Sequence, residues 1–74
     1  MSRLILTFES LFRVMAADRA LKDRIRCRPT PTPPGLSADI CGMSIELIEP
    51  AQQQQALALL EDAGLSPSGI HLVD

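Results

Sequence analysis

Two thiols and one imidazole are the side chains in this chain most suited to chemistry: Cys27, Cys41 and His71. A cysteine acts as nucleophile or sulfur acceptor through its thiolate, which calls for exposure and positive surroundings. Cys41 lies in the stretch Ser37-Ala38-Asp39-Ile40-Cys41-Gly42. Glycine there lets the backbone come close to a partner or ligand. Cys41 therefore reads either as an exposed loop thiol or as a small residue turned into the core. Cys27, alternating with Arg26 and Arg28 and sharing a side with Ile25, reads as core. His71 sits between Ile70 and Leu72. Alternation turns those two toward the helices and leaves the imidazole outward, as a solvated strand residue. No Ser, Cys or paired carboxylate is placed beside it, so it has no acid–base constellation. Two Cys and one His fall short of a tetrahedral zinc site. The glycines at 35, 42, 64 and 69 are too scattered for a phosphate loop. The expectation is no metal, no cofactor and no enzymatic turnover.

The elements that must position these residues follow from periodicity. Residues 3–8 (RLILTF) alternate, with Leu4, Leu6 and Phe8 on one side and Ile5 and Thr7 on the other. Ser10 is a ready N-cap for a helix from Leu11 to about Asp23, with Leu11, Val14, Ala17 and Leu21 as its apolar stripe. Phe12 falls off that stripe. Residues 25–31 read as a strand running into Pro29-Thr30-Pro31-Thr32-Pro33-Pro34-Gly35. Its prolines bar a helix or a central strand and demand a stiff, extended path. Ser37 is placed to cap a short turn through Asp39. Residues 43–48 (MSIELI) alternate again. Pro50 suits the first position of a second helix, with Gln52–Gln55 as a solvated face. Gly64-Leu65 reads as a left-handed C-terminal cap. Residues 70–73 make a last short strand.

The order is βαββαβ. It predicts an α+β fold: a two-layer, ferredoxin-like sandwich, with an antiparallel four-stranded sheet and both helices on one face. If strands 25–31 and 43–48 form a hairpin, facing residues sum to about 74. Cys27 then opposes Leu47 inward and Arg28 opposes Glu46 outward, a cross-strand pair worth roughly 0.2–1 kcal/mol. The same register sets Cys27 and Cys41 on the order of 15–20 Å apart, beyond disulfide reach.

Composition bounds the function. The chain has 74 residues, 46% apolar and 22% charged. That is one domain (residues 1–74) with a thin core and no room for a large enclosed active site. No apolar run approaches the roughly 18 residues of a membrane span, and Leu4-Ile5-Leu6 is too short for a signal-peptide core. A cytoplasmic protein with reduced thiols is the default. All seven Lys and Arg lie in residues 3–28, and six of the nine acids follow. The basic residues Arg24, Arg26 and Arg28 invite a nucleic-acid reading. The pI of 5.2 and the lack of Trp and Tyr argue against one. The polarised surface suits a charged protein partner better.

Several stretches, taken in order, carry a resemblance. They are Ile5-Leu6-Thr7-Phe8-Glu9-Ser10, the Ala17…Leu21-Lys22 helix, Pro29-Thr30-Pro31, Leu36-Ser37…Cys41-Gly42 and Leu59-Leu60-Glu61-Asp62-Ala63-Gly64. Together, from Arg3 to about His71, they resemble the small bacterial family of selenium/sulfur (Se/S) carrier-like domains of unknown function. The most specific element is the Pro-rich strand exit leading into a Ser…Cys-Gly loop. Two departures stand out: Thr32-Pro33-Pro34 replaces a basic residue after Pro-x-Pro, and Ile40 lengthens the Ser-to-Cys interval. The resemblance implies a carrier thiol at Cys41, accepting sulfur or selenium as persulfide or perselenide, with Ser37, Asp39 and Gly42 as its supporting loop. It also implies protein partners, namely donor and acceptor enzymes. The competing expectation is a non-catalytic interaction module. Its open sheet face would present Ile5, Thr7, Ile48 and His71 to a homodimer mate or other partner, with Cys41 structural.

Overall fold

A computed structural model of the protein describes residues 3–33, 35–36 and 42–73. Its elements are β1 (Arg3–Thr7), α1 (Leu11–Leu21), β2 (Cys27–Pro31), β3 (Met43–Leu47), α2 (Gln53–Asp62) and β4 (Gly69–Val73). The four strands form one antiparallel sheet in the order β2-β3-β1-β4. No described helix is long and apolar enough to cross a membrane.

Alternation in the strands sorts the two sheet faces. Leu4 faces Leu47 and Leu72, and Leu6 faces Ile45 and Ile70. Leu4, Leu6, Phe8, Ile45 and Leu47 join Val14, Ala17 and Leu21 of α1, Ile25, and Ala56 and Leu60 of α2 in a single apolar cluster. Burying each of the larger side chains contributes about 1.5–3 kcal/mol relative to leaving it in water.

Helix α1 starts where the cap allows: Ser10 Oγ accepts from the Arg13 amide at 3.2 Å. It ends at Leu21, two residues earlier than its sequence suggests. Ile25 N instead bonds back to Leu21 O at 2.8 Å and drops the Ile25 side chain into the core. The β2 strand accordingly begins at Cys27 rather than Ile25. Leu11, expected on the buried stripe, is exposed, while Phe12 is the most exposed large apolar side chain described. The second helix opens with a 3-10 turn at Pro50–Gln52 before α2 proper. Its glutamine face is not wholly solvated, because Gln52 Oε1 accepts from Arg26 N at 3.0 Å. At its end Gly64, at φ +71°, lets Leu65 N reach Leu60 O at 2.8 Å, and Leu65 packs on the core. That six-to-one bond is the expected left-handed cap.

The β2–β3 register has Cys27 opposite Leu47 and Arg28 opposite Glu46, with every pair summing to 74. Thr32 N donates to Gly42 O at 2.9 Å and Ile48 N to Arg26 O at 2.8 Å, which makes the even positions of β2 the ones bonded to β3. Pro29 and Pro31 therefore stand where an N–H would point to solvent. This is how a strand carrying two prolines sits in the sheet, and why it lies at the edge.

Candidate functional site

Ser37, Asp39 and Cys41, the expected thiol loop, lie outside the described residues, as does the inter-thiol distance. Gly42, the residue after Cys41, is described. It is exposed, sits at φ +67°, and its carbonyl closes the end of the hairpin onto Thr32 N. A Cβ at Gly42 would meet nothing within 4 Å, so glycine is needed here for its left-handed backbone and not for space.

Cys27 takes the place its alternation predicts. It is half-buried at the start of β2, opposite Leu47, and packs against the core cluster. Burial pushes its thiol above the ordinary range, and the Asp18 carboxylate on α1 pushes it further. Both effects keep the sulfur protonated and poorly nucleophilic. Among the described residues no cluster of His, Cys, Asp and Glu could hold a metal ion.

The other face of the sheet is polar and closely paired. Glu46 on β3 is buried, and Arg3 grips it at two points, Nε to Oε2 at 3.2 Å and Nη2 to Oε1 at 3.0 Å. Arg28 approaches the same Oε1, with Nη2 at 3.2 Å. The Arg3 hydrogen bond is the largest influence holding the Glu46 carboxyl below the usual glutamate range. Desolvation opposes it, and Arg28 adds to the depression. Arg28–Glu46 follows from the hairpin register, whereas Arg3 does not. It joins only because β1 pairs with β3 across 43 residues, a contact with no local periodic signal. Thr32 Oγ1 and Ser44 Oγ, 2.6 Å apart, continue the polar row.

Two expectations for this face are overturned. Ile5 and Thr7 are not exposed contacts: they retain 0% and 2% of their surface, with Ile5 set between Glu46 and His71 on the neighbouring strands. Ile48 does remain exposed. His71 is half-buried, with Nε2 3.4 Å from Thr7 Oγ1, and is not simply solvated. It also lies over Gly69, where an added Cβ would come within 2.7 Å of Nε2. Ile70 and Leu72 share the inner face with Leu6 and Leu4 but stay 43% and 67% exposed, because β4 is the outermost strand.

No curated protein and no solved structure matches the chain. The family described as putative Se/S carrier protein-like matches residues 3–72, nearly the whole chain, and the protein belongs to that family.

Proposed function

We propose that the protein is a sulfur or selenium carrier that presents Cys41 to partner enzymes and has no turnover of its own. Family membership across residues 3–72 carries the reading. The state of Cys27 supports it, because a thiol half-buried against the core with a raised pKa is ill-suited to the role. That leaves Cys41 as the thiol for cargo, with Ser37, Asp39 and Gly42 shaping its loop. The strand order β2-β3-β1-β4 and the single core fed by both helices support a ferredoxin-like arrangement with both helices on one face. In the same reading the protein works in the cytoplasm with protein partners, without nucleic acid or membrane.

The transfer is a displacement. The Cys41 thiolate attacks the terminal sulfur of a donor enzyme's persulfide. The donor S–S bond breaks, its thiolate leaves with the electron pair, and the sulfur remains on Cys41 as a persulfide. No oxidant is consumed. A donor perselenide hands on selenium by the same route. The alternative, an interaction module using the open sheet face, keeps Ile48 and His71 but loses Ile5 and Thr7 to burial.

The test is intact-mass measurement after incubation with a cysteine desulfurase and cysteine. The protein and its Cys27→Ser variant should each gain one sulfur, and Cys41→Ser should gain none. A wild type that stays unmodified, or a Cys41→Ser variant that loads equally, would overturn the proposal.

A further inference from the structure

The two edges of the sheet are built differently. Hydrogen-bond parity can be carried across it from β2, whose even positions bond to the even positions of β3. The odd residues of β3 then face β1, through Ile45–Leu6 and Leu47–Leu4. The odd residues of β1 face β4, through Arg3–Val73, Ile5–His71 and Thr7–Gly69. Thr7 O faces β4, as this parity requires, and at the start of β4 it accepts from Ser68 N at 2.8 Å, one residue out of the regular ladder. Ile70 and Leu72 are left with their N–H and C=O groups pointing off the sheet.

On β2 the outward positions 29 and 31 are prolines, which cannot donate to an added strand. On β4 the outward positions have no proline, and residues 69–73 (GIHLV) carry no acidic, Lys or Arg side chain to repel one. Ile70 and Leu72, at these outward positions, also carry exposed apolar side chains. An apolar open edge without proline or a repelling charge is a site for strand addition.

We propose that two copies of this chain join antiparallel through β4, around a two-fold axis at His71. Ile70 of each copy pairs with Leu72 of the other. In that register each Ile70–Leu72 pair exchanges both of its outward hydrogen bonds, and all the open groups on both edges are used. Shifting the pairing by one hydrogen-bonded step either way sets one of these residues opposite Ser68, whose amide is already bonded to Thr7, or beyond Val73. Self-complementarity in one register is what selects a second copy over an unrelated strand. The apolar side chains of Ile70 and Leu72 from both copies meet on the inner face, next to Leu4 and Leu6. Strands of five residues make a small interface, so the dimer is weak and follows concentration.

Sedimentation equilibrium over a concentration series, paired with residue-resolved amide exchange, tests this. Wild type should pass from monomer to dimer. On dimerisation the amides of Ile70 and Leu72 should slow by about tenfold. Those of His71 and Val73, bonded to β1, should be protected at every concentration. Leu72→Pro removes an outward N–H without touching the β1 ladder, and Leu72→Lys adds charge to the edge. Each should weaken the dimer by about tenfold or more while the far-ultraviolet circular dichroism stays that of wild type. A chain monomeric to about millimolar concentration overturns the proposal. So does a dimer in which the Ile70 and Leu72 amides exchange freely or which both variants retain; that result would move the contact to another surface, such as exposed Phe12.

Discussion

Arg3 and Glu46 meet in a two-point ion pair across β1 and β3, Nε to Oε2 at 3.2 Å and Nη2 to Oε1 at 3.0 Å. Arg28 arrives at the same carboxylate from β2, so three of the four strands are tied on the polar face through one buried acid. That acid makes the stability of the sheet sensitive to low pH.

The Glu46 carboxyl is held below its usual range chiefly by Arg3, so its folded pKa lies under the unfolded value of about 4.3. The stabilisation is present above that value and is lost as pH falls through the folded pKa. Thermal melts between about pH 7 and pH 3 should show wild type losing stability more steeply than Glu46→Gln. At neutral pH, Glu46→Gln should melt a few degrees lower. Equal slopes would mean that the pair contributes nothing measurable.

Gly42 and Gly69 need glycine for different reasons, and substitution separates them. Gly42→Ala meets open space but a left-handed backbone, so it should cost about 1 kcal/mol, or about 4–8 °C in Tm. No second-site change in a neighbouring side chain should relieve it. Gly69→Ala meets His71 Nε2 at 2.7 Å and Thr7 Oγ1 at 2.8 Å. Adding His71→Ala to Gly69→Ala should therefore recover part of the loss, a non-additivity that a double-mutant cycle reads directly.

Cys27 should be a slow thiol. In a Cys41→Ser background, alkylation at neutral pH should run well below the rate of an unfolded cysteine peptide and speed up on addition of denaturant. Asp18→Asn should raise it modestly, since Asp18 is the second cause of the shift. Because the folded pKa is raised, the neutral thiol's contribution to stability is complete below about pH 8.5 and declines as pH climbs through the folded value. Fast alkylation of Cys27 would remove a support of the carrier reading.

The prolines of β2 should be dispensable for folding and needed for solubility. Pro29→Thr with Pro31→Thr places N–H groups on the outward side, where β3 does not use them, so the melting temperature should hold. The unblunted edge should raise light scattering at high protein concentration. A collapse of the fold instead would show that those positions face β3.

Much of this architecture is written in short-range pattern. Alternation in residues 3–7 and 43–47, the Ser10 cap, the Gly64-Leu65 cap and the β2–β3 register each depend on neighbours a few residues apart or on one hairpin. The element order and the inward placement of Cys27 follow from them. Less was legible where exposure depends on distant chain. Alternation says which side of the sheet Ile70 and Leu72 occupy, but not that they lie beyond helix cover. It assigns Ile5 to the polar face without foretelling that the face closes over it.

The sequence by itself determined the strands, the caps, one register and the family, because each arises from local backbone preference or from the order of short motifs. Tertiary structure alone decided that Arg3 reaches Glu46, that Ile5 is buried, and that β4 keeps an open apolar edge. Those outcomes depend on the strand order β2-β3-β1-β4, which brings together residues tens of positions apart. Burial and ion pairing respond to what lies nearby in space, and no local period encodes that.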